Sequence, residues 1–259
     1  MKKFLTPQIK RGINFLFYAL FLIFSINLIF NTNDIKVKIL YALITIIFLF
    51  VAIFAEYLEF NYENAIRALN YECNPEKAKS IVDKVESMDF LKSYKKKRIL
   101  FDLLYYSATL ENEKVQLHIQ ENDRFFRSTI DSLLIRNVSL FISYIHEGEK
   151  NQAKKIYPDI SKLIVATNRR GKSIVSPLYQ PDELEALYYL ISNNSKKACR
   201  SFEKVNTLYM NNKEKAELYY FWNKALLENG DMRKSNEIYP LFKEVKGLLP
   251  YPDEARTSS

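Results

Sequence analysis

Two apolar runs, Ile13 to Phe30 and Ile39 to Ala55, stand either side of the short polar stretch Asn31–Lys38, and neither contains a formal charge. Each has about the length, roughly 17–25 residues, that crosses a hydrocarbon core as a helix. In lipid every backbone N–H and C=O must be satisfied within the segment, so helix is the state these runs can adopt there. A connector this short joins two spans only as an antiparallel hairpin. The sequence therefore predicts a transmembrane helical hairpin over residues 1–58, with spans at about 13–30 and 39–55. A secretory signal has an h-region of only ~7–15 residues and a small-residue cleavage site. The first run is longer, and Phe30-Asn31-Thr32-Asn33 offers no such site. Asn14, Ser25 and Asn27 fall near one side of the first helix and are expected to pack on the second, as mildly polar residues in spans usually do. Neither span holds the mid-membrane ionisable group that an ion or proton path needs, which argues against a channel or transporter.

Lys2, Lys3, Lys10 and Arg11 precede the first span, against Lys36 and Lys38 in the connector. By the positive-inside rule this places both termini in the cytoplasm of a two-span protein of the cell membrane. Cys73 and Cys199 lie far apart with no spacing that suggests a disulfide framework, which agrees with a reducing compartment.

From about Glu59 onward the punctuation is that of helices. Asn74-Pro75-Glu76 reads as an N-cap, a proline at the first helical position and an acid in the first turn. Asn112-Glu113, Gln180-Pro181-Asp182-Glu183 and Ser195 give similar starts, and breaks fall at Glu147-Gly148, Arg170-Gly171, Asn193-Asn194 and Asn229-Gly230. Between them apolar residues recur at three- and four-residue spacing, as in Ile99, Leu103, Tyr106 and Leu110. The expectation is a run of paired antiparallel helices.

A repeat is visible within this run. Gly148 to Pro158 aligns with Gly230 to Pro240, and small or compact residues recur at Ala78, Val115, Ala153, Ala198 and Ser235, in steps of 37, 38, 45 and 37 residues. One turn after each sit Val82, Ile119, Tyr157, Phe202 and Tyr239, and two turns after sit Val85, Asn122, Ile160, Val205 and Phe242. A small side chain lets the helices of a pair cross closely, and the later positions fill the seam to the next pair. In step length and in these positions, residues 59–250 resemble the tetratricopeptide-repeat family, whose period is ~34 residues. Ala216 to Gly247 is the best unit, with Tyr219, Trp222 and Leu226 at the family's first-helix packing positions and Ser235, Tyr239 and Phe242 at those of the second. Pro158 and Pro240 depart from the pattern by falling inside second helices, and Asn168 to Pro181 is an insertion. The resemblance implies an all-α protein in which an α-α superhelix, a TPR-like solenoid, follows the hairpin. It also implies a partner groove at Glu63, Arg67, Asn70, His146, Tyr220 and Lys224. Residues 251–259 are expected to form a disordered tail.

Catalytic motifs are missing. His118 and His146 belong to no His-Glu-x-x-His pair, and Ala166 stands where a phosphate-binding loop ending in Gly171-Lys172-Ser173 would need its first glycine. No Gly-x-Ser-x-Gly elbow or Gly-x-Gly-x-x-Gly turn occurs. The chain reads as a non-enzyme with no catalytic residue, metal site or cofactor.

Charge supplies the remaining signal. The first 59 residues hold six Lys/Arg and three acids, so the remainder still carries about +5 of the formal +8. Basic clusters stand at Lys95-Lys96-Lys97-Arg98 and at Arg169, Arg170 and Lys172, with Lys196, Lys197 and Arg200 further on. On a tethered domain they could meet anionic headgroups, each charge being worth ~1 kcal/mol near the surface. Nucleic acid is disfavoured, because the aromatic-interleaved context of its binding modules is missing. Two function classes fit. One is a membrane-anchored helical-repeat scaffold that binds a protein or peptide partner at the cytoplasmic face of the bilayer. The other is a small membrane protein of the bacteriocin-immunity or transport/envelope-assembly type, in which the hairpin is the active part.

Overall fold

The computed structural model describes residues 7–90, 92–169 and 180–252, with the side chains of residues 7, 8, 10 and 165–169 outside that set. The described residues are all-helical, without a strand, and form two compact units, 1–63 and 64–259.

The first unit holds α1 (Pro7–Asn31) and most of α2 (Ile35–Asn70), both long and apolar enough to cross a membrane. Their outward faces are largely apolar, from Phe15, Leu16 and Phe17 to Ile44, Ile46 and Phe50. Where they face each other the residues are small or aromatic: Ser25 and Thr45 are buried, and the Phe21 and Phe48 ring centroids lie 4.4 Å apart. Asn14 donates to Glu56 on α2, as its place on the inner side predicted. Asn27 does not pack there. It is exposed and accepts from Asn31 of its own helix, because an Asn four residues on offers a local partner. The connector is also shorter than expected. Asp34 caps α2 by accepting from the Lys36 N–H at 2.8 Å, which winds residues 35–38 into the helix and leaves only Thr32–Asp34 as turn. At its other end α2 continues past residue 58 to Asn70, since no Gly or Pro interrupts it and Leu58, Ala65, Ala68 and Leu69 are all buried.

In the second unit α3 (Pro75–Met88), α4 (Lys95–Ala108), α5 (Asn112–Glu121), the single turn α6 (Asp123–Phe126) and α7 (Ile130–His146) precede α8 (Lys150–Arg169). The chain continues with α9 (Pro181–Ile191), α10 (Ser195–Phe202), α11 (Asn212–Glu228) and α12 (Met232–Val245). Asn74 caps α3 as expected, accepting from the Lys77 N–H at 3.0 Å with Pro75 at the first position, whereas α5 and α9 begin without a side-chain cap and Asn194, one residue before Ser195, caps α10. The breaks at 148, 193 and 230 are left-handed residues, Gly148 and Gly230 both at φ +77° and Asn193 at +56°. That at Arg170-Gly171 lies outside the described residues.

Helices pack in succession, α7 on α8, α9 on α10 and α11 on α12, each pair touching the next. All five small positions are buried, Ala78, Ala153 and Ala198 completely. Ser235 occupies its small position with a hydroxyl because it has work there: it donates to the buried Asn223 Oδ1 of α11 at 2.6 Å. Pro158 and Pro240 sit on exposed faces inside α8 and α12, which continue through them. Trp222 is half-buried. Its indole stacks on Phe202 of the preceding pair at 6.5 Å, with the Lys234 ammonium 5.6 Å from the ring.

Candidate functional site

The chain does not end in a free tail at residue 251. After α12, Gly247 turns in the left-handed region at φ +52°, and a Cβ there would lie 2.8 Å from the Cys73 Cβ, so this close passage needs glycine. The Leu248 N–H then donates to the Cys73 carbonyl at 3.0 Å. Leu249 and Tyr251 turn inward and are buried. Residues 253–259 lie outside the described residues.

Tyr251 covers a cluster that α7, α9 and α11 build together. Its ring lies 6.0 Å from His146 at the end of α7 and 5.0 Å from Tyr220 on α11, while His146 and Tyr220 stack at 6.1 Å. Glu183, in the first turn of α9, is only 1% exposed, and Lys213 and Glu217 of α11 are 6% and 3% exposed. Lys213 and Glu217 stand one turn apart on one helix face with Nζ and Oε2 3.9 Å from each other. Burying such groups is costly unless their neighbours compensate, and the compensation here is incomplete. Glu183 Oε2 and His146 Nε2 are both enclosed without a hydrogen-bond partner.

The electrostatics follow from enclosure. Burial, reinforced by Glu217, raises the Glu183 carboxyl well above its ordinary range and so favours its protonated form. Burial, with Lys224 and Lys213 nearby, lowers the His146 imidazole to about 4, so it is neutral. Burial and then Glu217 hold the Tyr251 phenol in its protonated form. Burial raises Cys73 to about 11, against the pull of Lys213, so its thiol is no nucleophile at neutral pH. The site has hydrogen-bonding capacity and no activated nucleophile. Among the described residues no group of three or more His, Cys, Asp or Glu is placed to hold a metal ion.

Of the six groove residues predicted from the sequence, His146 and Tyr220 come together, and Lys224 stands exposed one turn further along α11. Glu63 is paired with Arg11 inside the first unit, where the Arg11 guanidinium also lies 4.8 Å from the Phe60 ring. Arg67 is exposed and Asn70 half-buried at the end of α2. Glu183, Lys213, Glu217 and Tyr251 were missed. Lys213 and Glu217 carried a signal in their i, i+4 spacing, whereas Glu183 looked like an ordinary first-turn acid.

The first basic cluster divides. Arg98 is no free cation, because Asp83, Glu86 and Asp102 all hold its guanidinium at 2.8 Å. Lys97 lies 4.6 Å from the Tyr94 ring, and Lys95 and Lys96 are exposed. The Arg169 side chain and all of Arg170 and Lys172 lie outside the described residues. Fold and site together define an all-α protein with two helices of membrane-crossing length and a buried polar cluster in its helix-pair unit. No protein family, curated protein or solved structure matches the chain.

Proposed function

We propose that this chain is a membrane-anchored helical-repeat scaffold whose α7–α9–α11 face binds a peptide or protein partner at the cytoplasmic side of the bilayer. One observation carries the reading: an irregular piece of chain after α12 already lies on that face through buried Tyr251, whose ring packs beside His146 and Tyr220. A face that holds non-helical chain by an aromatic anchor over polar groups has the chemistry of peptide recognition. Two membrane spans would confine the partner to the same surface and raise its effective concentration, so modest affinity suffices.

The second reading, in which the hairpin is the active part, draws on Glu56 directly after the second apolar run. There Asn14 and Tyr18 of α1 both donate to its carboxylate. Affinity capture with the full-length protein in detergent separates the two. Tyr220→Ala combined with Lys224→Glu is expected to abolish capture, while replacing residues 13–55 by an unrelated two-span hairpin leaves it intact. The reverse pattern assigns the function to the hairpin.

A further inference from the structure

Residues 248–252 alternate strictly between the two environments. Leu248, Pro250 and Pro252 are exposed, while Leu249 and Tyr251 are 3% and 4% exposed. The alternation begins at the turn that closes α12, where the Leu249 N–H donates to the Lys246 carbonyl at 3.0 Å, and it carries two buried anchors, Leu249 and Tyr251, onto the unit. Pro250, with φ restricted to about −65° and no N–H to satisfy, stiffens the chain between the two anchors. Beneath the second anchor remain the enclosed Glu183 Oε2 and His146 Nε2, which this segment leaves without hydrogen bonds. An unmade bond at an enclosed polar group costs ~1–3 kcal/mol, so the resident segment fills the socket's volume without meeting all of its polar demand. A ligand that brings its own donors and acceptors to those two atoms gains what the segment forgoes.

Resting on the scaffold reading, we propose that Leu248–Pro252 is an intramolecular stand-in for the partner. The partner is then a non-helical, proline-containing segment with an apolar anchor and, two residues on, an aromatic anchor bearing a hydrogen-bonding group. It competes with the chain's own end for the socket under Tyr251. Because the resident segment is covalently attached, its effective concentration is of millimolar order, and a weak intrinsic fit keeps the face closed.

The test uses full-length protein in detergent and a fluorescent peptide of residues 246–252 (Lys-Gly-Leu-Leu-Pro-Tyr-Pro), followed by anisotropy. Wild-type protein should bind it poorly. Tyr251→Ala, which empties the socket without shortening the chain, should bind at least tenfold more tightly. That gain should vanish with a peptide whose tyrosine is alanine. A folded Tyr251→Ala protein that gains no affinity overturns the proposal. So does a Tyr251→Ala protein that unfolds, since the segment would then be part of the core. Leu249→Ala provides an independent arm, with a smaller gain expected, and unchanged affinity there counts against the docked-peptide reading as well. The outcome is separable from that of the scaffold. If the peptide binds while no partner is captured, only the scaffold reading falls, and if a partner is captured while the peptide fails, only the stand-in falls.

Discussion

His146 and Glu183 are displaced in opposite directions by the same enclosure, and the signs can be followed separately. For His146 the folded value is about 4 against 6.5 for the free imidazole. Between those limits the unfolded chain binds a proton that the folded chain refuses, so this residue's contribution to stability falls as pH drops. For Glu183 the folded carboxyl keeps its proton above the ordinary 4.5. The folded chain is then the tighter proton binder, and this contribution rises as pH drops toward 4.5. The two contributions therefore oppose each other wherever their windows overlap. The Glu183 window opens upward from 4.5, and the His146 window lies between about 4 and 6.5. His146→Phe should therefore make the protein more resistant to denaturant on acidification relative to wild type, and Glu183→Gln less so. Trp222, the chain's single tryptophan, lies in this unit and reports its unfolding in the intact protein. Identical pH slopes for both variants and wild type would mean that neither group is held as described. None of this pairing was legible in the sequence. Whether an acid in a first helical turn meets water or a wall of side chains depends on α11 and residue 251, which only the tertiary fold brings to it.

The helices themselves were legible, because their starts and stops are local chemistry. Asn74 before Pro75, Gly148 and Gly230 each act within a few residues of themselves, and the structure places them where that chemistry demands. Helix faces were harder to read. On α11 the sequence favours Tyr219, Trp222 and Leu226 as packing positions, whereas the fully enclosed apolar residues are Ala216, Leu218, Phe221, Ala225 and Leu226. The difference arises because Trp222 is large enough to reach Phe202 from the flank of the seam and does not need to occupy its centre. The Ser235–Asn223 bond ties α11 to α12 and gives a sharp test at this scale. Ser235→Ala installs the small residue that close helix crossing favours, yet it strands the buried Asn223 amide and should cost ~1–3 kcal/mol. Adding Asn223→Leu should recover a large part of the loss, since removing both partners is far cheaper than removing one. Denaturant unfolding of the two singles and the double measures the coupling, and strict additivity would rule out the bond as the cause.

At the scale of the whole molecule, composition alone revealed the two-part organisation, since an apolar run without charges has few alternatives. The expected arrangement has both ends in the cytoplasm, so a reporter fused after Ser259 should be active only when it is one that works in the cytoplasm. Activity of an extracytoplasmic reporter at that site would invert the topology. The turn after α2 was beyond the reach of sequence, and it has a consequence for how the second unit melts. A row of helix pairs touching only their sequence neighbours unzips from its ends, because the outermost pair has least to lose. Here the Leu248 N–H reaches the Cys73 carbonyl, and the Asn212 side-chain amide donates to the Tyr71 carbonyl at 2.6 Å. First and last segments brace each other, which leaves no end free to fray. Heating should then produce one transition whose calorimetric and van't Hoff enthalpies agree. Refolding would run the other way: hairpins close early on local contacts, and the joining of residues 73 and 248 comes last, after the longest loop in the unit has been ordered. The unit would assemble fast in its parts and lock slowly as a whole.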